Sequence, residues 1–329
     1  MKKLLLFILS LLIGFGMLIW VMKTVGPEEL ERDLEVFRGS DGLIILGLSI
    51  LTILIGAWRW KEILKGVGTD LPLKKMMPSF LAGFSVMFLA PVLVWGGEVM
   101  RAYILKTRNN VPWSKGMASV IIDRIFEWTA NLVVVLFGGA IFILFNGFPL
   151  NRVTWIILGV ILLLIIFLIY FFIKCYRRES IVSILFRGKK NLWDVEKEMF
   201  RFFKQGKSAI WKAVFLSFLR AAVMYARVWV LIVFLGKSIG ALSVVSILGF
   251  SYLAAMVPIP TALGTHEAIQ SFAFNSLGLG LSVAPAFTMI IRAADLIISL
   301  TGVAVLFRFG IIIIRDKILN KIENLTDED

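Results

Sequence analysis

Eleven ionisable side chains stand in stretches otherwise apolar enough for hydrocarbon: Glu98, Arg101, Asp123, Arg124, Glu127, Arg220, Arg227, His266, Glu267, Arg292 and Asp295. A charge at the centre of a membrane helix costs about 2.5–3.5 kcal/mol on the insertion scale, so such residues pair or line a hydrated path. Arg124 and Glu127 are three apart, as are Arg292 and Asp295, and each pair can meet on one helix face. Two chemistries fit. The pairs can dock their helices structurally, or the arginines can bind phosphate, to which the guanidinium fork is matched. Both readings stay open on sequence alone.

Glu98 and Glu267 each follow a proline, Pro91 and Pro260, by seven residues. Proline removes a helix hydrogen bond and frees a carbonyl. Each Glu therefore either sits at the positive N-terminal end of a half-helix or helps form a polar groove that balances charge or takes a cationic headgroup. Gly96, Gly97, Pro258 and Gly264 mark the same two breaks. Arg101 is expected to snorkel to the cytoplasmic headgroups. Arg220 is expected to pair with an interior acid, and Arg227 lies about two turns further on the same face. His266, beside Glu267, can relay protons, but a lone histidine is more often a hydrogen-bonded structural residue. Asp123 adjoins Arg124 and supports that cluster.

Soluble-enzyme chemistry finds little support. His266-Glu267-Ala268-Ile269-Gln270 begins like a zinc-protease helix but lacks the second histidine. There is no Gly-x-Ser-x-Gly elbow, P-loop or dinucleotide fingerprint. The single Cys175 forbids an internal disulfide and a cysteine-cluster metal site. No cofactor or metal is implied. Ser85, Ser251 and Ser271 leave a Ser–His dyad possible in composition, with no spacing that argues for it.

The elements that must position these charges are membrane helices. The chain has 329 residues, 59% hydrophobic and 17% charged, with a mean hydropathy of +0.89. Soluble domains run near 45–50% apolar and about 25% charged. The net charge of +13 fits a cytoplasmic loop bias and anionic lipid, with no nucleic acid needed as partner. Leu4–Met22 reads as an uncleaved first span and Leu43–Trp58 as the second. Between them, 23–41 carries three basic and six acidic residues, whereas 59–75 carries five basic and two acidic. The positive-inside rule then places the N-terminus and 59–75 in the cytoplasm. Val153–Ile173 is an unbroken span. The segment 174–207 has ten basic and four acidic residues and reads as a cytoplasmic amphipathic surface helix through Leu192, Trp193, Val195, Met199, Phe202 and Phe203. Ala209–Leu235 returns outward, and the basic tail from Arg308 is placed inside. Met76–Trp95, Gly116–Phe145, Ser243–Val257, Thr261–Leu281 and Ala284–Phe307 are less regular. Non-helical backbone at membrane depth needs cover from protein or water, so these stretches are assigned to the interior.

They also resemble one another. Gly83-Phe84-Ser85 recurs as Gly249-Phe250-Ser251. The Pro–Glu and Arg–acid pairs recur in the same order, at an offset of 166–169 residues. Arg101 falls opposite Gln270. Loop charges make the two copies, about 76–147 and about 240–310, run in opposite senses, a build familiar in secondary transporters with a midplane site. The expected fold is one all-α polytopic membrane domain of about eight helical membrane segments, with broken or re-entrant helices in two inverted repeats.

Arg59-Trp60-Lys61, Pro91…Gly96-Gly97-Glu98…Arg101-Ala102-Tyr103, Ser119…Asp123-Arg124 and Pro258-Ile259-Pro260…Gly264…Glu267-Ala268 form a series. In this order they resemble the lysylphosphatidylglycerol synthase transmembrane, or flippase-like, family over nearly the whole chain. Thr261-Ala262-Leu263-Gly264 departs from the family's usual Gly-Gly-Leu-Gly. The resemblance implies lipid translocation. Its best-known member moves an aminoacylated phosphatidylglycerol made by a soluble aminoacyl-transferase half that has no counterpart in this sequence, so synthesis is not expected here. The implied partners are membrane lipids, anionic or phosphate-bearing, with a homo-oligomer left open; the implied location is the cell membrane, with both termini cytoplasmic. Arg124, Arg292, Glu98, Glu267 and Arg101 are the candidate headgroup ligands. The alternatives are an intramembrane enzyme acting on a lipid-linked substrate, and an accessory subunit that recruits a cytoplasmic partner through 174–207.

Overall fold

The computed structural model describes residues 39–89, 96–147, 152–177, 179, 190–256, 265–280 and 283–326. The expected first span, Leu4–Met22, and the tips carrying Pro91, Pro258, Pro260 and Gly264 lie outside them. Ten α-helices and no strands occur among the described residues. They are α1 (Ser40–Gly66), α2 (Leu73–Leu89), α3 (Gly96–Asn109), α4 (Trp113–Asn146), α5 (Arg152–Arg177), α6 (Lys190–Gln205), α7 (Lys207–Phe234), α8 (Ala241–Met256), α9 (Thr265–Ser276) and α10 (Val283–Thr326). The chain is thus an all-helical integral membrane protein. Four helices, α1, α4, α7 and the Val283–Gly310 part of α10, are long and apolar enough to cross a bilayer among the described residues. The 26-residue α5 turns Leu162, Leu163, Ile166 and Ile169 outward. Phe137, Leu144 and Phe215 are likewise more than 60% exposed. Apolar side chains this exposed are stable against lipid and would be a liability in water.

Two apolar cores flank a charged layer. One packs Trp60, Phe126, Phe171, Met199 and Phe202 where α1, α4, α5 and α6 meet. The other packs Val228, Ile247, Phe274, Phe287 and Ile290 among α7–α10. The helix order short, short, long occurs twice, as α2–α3–α4 and α8–α9–α10. Each long helix packs against the first helix of the other triplet: α4 on α8, and α10 on α2. Both crossings use glycine for close approach. A Cβ on Gly138 of α4 would lie 2.6 Å from the carbonyl oxygen of Val245 on α8, and one on Gly302 of α10 would strike Ser85 and the Leu81 carbonyl of α2. Ser246 and Ser85 donate across these seams to the carbonyls of Gly138 (2.9 Å) and Ser299 (2.6 Å), the kind of small-residue contact that holds helices together in lipid.

Three expectations change. Helix α10 runs well past Phe307, to Thr326, because nothing in that stretch breaks a helix. Within 261–281, the described residues 265–280 form the short α9, after which Gly278 and Gly280 turn the chain with positive φ. The amphipathic helix α6 docks its apolar face on protein: Val195, Met199 and Phe202 are buried, and Phe126 meets Phe202 edge-on and Phe203 in a stack. Only its Trp193 stays about half exposed.

The seam geometry makes an adjacent-residue prediction. Gly138→Ala should lower stability by about 1–3 kcal/mol, because its new methyl meets backbone. Gly139→Ala, with open space around it, should be neutral or slightly stabilising. Thermal unfolding midpoints of the two variants in detergent check this.

Candidate functional site

Asp123 and Glu127 lie one turn apart on α4, and α1, α3 and α7 reach toward them. From α1, Arg59 donates Nε to Asp123 Oδ1 at 2.7 Å, Nη2 to Glu127 Oε2 at 3.1 Å, and Nη1 to Ser217 of α7 at 3.3 Å. Arg101 of α3 donates to the second Asp123 oxygen at 3.0 Å. From α7, Arg220 donates to Glu127 Oε1 at 2.5 Å. Arg124 donates to Glu98 of α3 at 2.5 Å and to Glu127 at 3.0 Å, and its third nitrogen meets Met87 of α2. Asp123 lies ten residues into α4, a rise of roughly 15 Å, about half the hydrocarbon thickness.

The structure brings together six of the expected site residues, Glu98, Arg101, Asp123, Arg124, Glu127 and Arg220. The i,i+3 pairing of Arg124 with Glu127 forms. The expected pairing of Arg220 with an interior acid also forms. Glu98 lies in the first turn of α3 and is bonded to Arg124, so helix end and ion pair both hold it. Arg101 departs from its expectation. It does not snorkel but is buried, with its guanidinium 4.1 Å from the Trp60 ring centre and 4.6 Å from that of Phe80. Cation–π contacts with two aromatic rings and a bond to Asp123 make the interior the better place for it.

The second group sits further along α7. Arg227 donates to Asp295 of α10 and to Ser49 of α1, both at 2.9 Å. Asp295 is therefore engaged by a helix outside its own triplet. Arg292 and His266 also have interactions. The Glu267 side chain lies outside the described residues. Gln270, opposite Arg101 in the sequence comparison, donates to Ser251 at 2.6 Å. Gly97 and Gly83 bring α3 and α2 into backbone contact, since a Cβ on Gly97 would strike Met87 and one on Gly83 would lie 2.7 Å from the Gly97 carbonyl. Gly249 instead faces Gly138 of α4, so the two Gly-Phe-Ser motifs seat different neighbours. No cluster of metal-ligating side chains occurs among the described residues.

Sequence reasoning missed Arg59 as an interior charge. The apolar run ends at Trp58, and the next residue reads as cytoplasmic. The helix continues two turns to Gly66, which carries Arg59 inward to 2% exposure. Ser217 and Phe80 gave no signal, because Ser and Phe are ordinary in a membrane helix.

Four guanidinium groups (Arg59, Arg101, Arg124, Arg220) meet three carboxylates (Glu98, Asp123, Glu127), which leaves one positive charge. Arg101 Nε and Arg220 Nε are buried donors with no hydrogen-bond partner among the described residues, and Glu98 Oε2 is a buried acceptor without one. Among the described residues the cluster thus holds one more cation than carboxylates, and buried polar atoms without partners.

Comparison with known proteins gives a consistent picture. Residues 7–302 match the family described as the lysylphosphatidylglycerol synthase TM region. The chain is 25% identical to a UPF0104 membrane protein of Methanocaldococcus jannaschii, over 88% of this chain and 90% of that protein. It is 24% identical to a UPF0104 membrane protein of Methanothermobacter thermautotrophicus, over 91% and 94% respectively. A stretch covering 31% of the chain is 25% identical to 16% of the glycosyltransferase AglD of Haloferax volcanii. No solved structure matches.

Removing one member of a buried charge network leaves its partners uncompensated, at a cost of about 3–5 kcal/mol. Asp123→Asn should therefore sharply lower the unfolding midpoint and the yield of folded protein. Lys212→Gln, which breaks the half-exposed bridge to Glu62, should cost under about 1 kcal/mol. Parallel thermal melts of the purified proteins separate the two.

Proposed function

The chain belongs to the lysylphosphatidylglycerol synthase transmembrane-region family, and from that premise we infer that it moves a phosphate-bearing lipid headgroup between leaflets while the acyl tails stay in the bilayer. The observation that carries this reading is the surplus positive charge of the α4 cluster among the described residues, with buried donors on Arg101 and Arg220 that have no partner among them. A phosphodiester carries one negative charge and acceptor oxygens. Placed against these donors, it neutralises the cluster and completes its hydrogen bonds. Glu98 Oε2 offers an acceptor to a hydroxyl or ammonium on the same headgroup. Arg101 and Arg220 hold the phosphate end beside Arg124, and Arg292 with Glu267 does the equivalent work in the second triplet. We read the two triplets as inverted copies that exchange access between the leaflets, in a cell-membrane protein with cytoplasmic termini.

The likeness to a segment of a glycosyltransferase favours a second reading of the substrate, a sugar-bearing polyprenyl-phosphate lipid. The same phosphate chemistry serves both.

Reconstitution tests the proposal. In proteoliposomes with headgroup-labelled lipids, the protein should speed transbilayer movement of a phosphodiester lipid or a polyprenyl-phosphate lipid. Arg220→Gln should slow it by roughly tenfold or more if a charge-assisted hydrogen bond is lost in transit. Movement no faster than in protein-free vesicles, across anionic, zwitterionic and polyprenyl-phosphate lipids, overturns it.

A further inference from the structure

The helix bounds match over more than the triplets. Helices α1–α4 begin at residues 40, 73, 96 and 113, and α7–α10 at 207, 241, 265 and 283, an offset that stays within 167–170. By this measure α1 opens one copy and α7 the other. At an offset of 168, Ser49 falls on Ser217, Arg59 on Arg227, Arg124 on Arg292 and Glu127 on Asp295. The two opening helices pack antiparallel: Ser49 meets Arg227, Arg59 meets Ser217, and Glu62 bridges to Lys212 beyond them. The two Arg–Ser contacts also match in chemistry. Arg59 Nη1 donates to Ser217 Oγ at 3.3 Å, while its other nitrogens hold Asp123 and Glu127. Arg227 Nη1 donates to Ser49 Oγ and to Asp295, both at 2.9 Å. Each serine donates its own proton to the carbonyl four residues back, Ser49 to Ile45 and Ser217 to Ala213, both at 2.8 Å. A hydroxyl committed in this way offers only lone pairs, and arginine, which only donates, is the matching partner. Both arginines and both serines are buried. The copies differ in load, because Arg101, Asp123 and Arg220 fall opposite Gln270, Ile291 and Thr52.

We propose that Arg59 and Arg227 are equivalent positioning residues, each holding the acid of its own four-helix copy and a serine of the other, so that the two acid sites are tied across the α1–α7 crossing. The reason is geometric. Both Arg–Ser bonds join the same two helices, ten residues or roughly 15 Å apart along each. A slide or rotation of α1 on α7 therefore changes both bonds together. A displacement of α4 felt through Glu127 and Arg59 reaches Asp295 through Arg227, along one contiguous chain of buried bonds. The tie itself is independent of what the protein carries. Its part in translocation rests on the function proposed above: the tie makes the two copies change access together.

Amide hydrogen exchange of the full-length protein in lipid nanodiscs tests the tie without any transport. Two peptides are followed, one of α4 around Glu127 and one of α10 around Asp295. Ser217→Ala releases Arg59 on the α4 side, and Ser49→Ala releases Arg227 on the α10 side. Each substitution should raise exchange roughly fivefold in both peptides, the change expected from one lost hydrogen bond. The Ser49→Ala/Ser217→Ala double variant should add less than about twofold to either single one, since cutting one bond already frees the crossing, whereas independent bonds would multiply. Ser246→Ala, which cuts a bond from α8 to the Gly138 carbonyl of α4, should leave the α10 peptide unchanged. In the reconstituted assay both single variants should lower the maximal transbilayer rate severalfold and keep the half-saturating lipid fraction within about twofold. Exchange that rises only at α4 in Ser217→Ala and only at α10 in Ser49→Ala overturns the tie, as does an equal rise at α10 in Ser246→Ala. An unchanged maximal rate in variants with raised exchange overturns its part in translocation. Wild-type vesicles that move no lipid count against the proposed function alone, and the exchange data still decide the tie.

Discussion

Glu127 accepts from three arginines on three different helices, and the arrangement of the bundle depends on that convergence. In a low-dielectric interior a lone carboxylate or guanidinium is too costly to leave ionised without a partner. Helices α1, α4 and α7 can therefore pack only where Arg59, Arg124 and Arg220 all reach the same side chain. Asp123, one turn earlier, repeats the arrangement with α1 and α3. Apolar packing in lipid selects no single arrangement, because lipid tails are as apolar as leucine. The ionic layer supplies the register that the hydrophobic effect supplies in water, and the two apolar cores close around it.

Small residues provide the second constraint. A bond of 2.5–3.1 Å between side chains on different helices requires backbones that approach closely. Gly83 and Gly97 allow α2 and α3 to touch, which carries Arg101 and Glu98 into the charged layer. Gly138 and Gly302 do the same for the two long helices. Both glycines of the Gly96-Gly97 pair open α3, and the second of them is needed for the contact with α2.

Much of this was legible in the sequence. Hydropathy located α4, α7, α8 and the membrane part of α10 to within a few residues, because a bilayer makes apolar length a direct signal; for α1 it found the start but stopped at Trp58, well short of the end at Gly66. The interior charges named the cluster, and the three-residue spacing of Arg124 and Glu127 named one of its bonds. What failed depended on partners that spacing cannot reveal. Arg101 looked like a snorkelling residue because its aromatic cage, Trp60 and Phe80, comes from helices 21 to 41 positions earlier in the chain. Asp295 also takes a bond from Arg227 of α7, a partner that spacing on α10 gave no sign of. Arg59 was hidden by a helix that outruns its apolar stretch. Charges adjoining a span's apparent end are ambiguous for this reason: hydropathy reports where the lipid begins, and only the fold reports where the helix ends.

The shared carboxylate also bears on how such a protein can change over generations. Because one Glu127 serves three arginines, substitutions within the set are strongly coupled and their effects do not add. A lineage that loses the carboxylate strands three cations at once, and one that loses an arginine alters the charge felt by the other two. Drift by single steps is blocked at this position, while the lipid-facing leucines and phenylalanines around it are free to exchange. Two distant descendants of one ancestor can thus differ over most of their surface and still have inherited this knot of charges as a single unit.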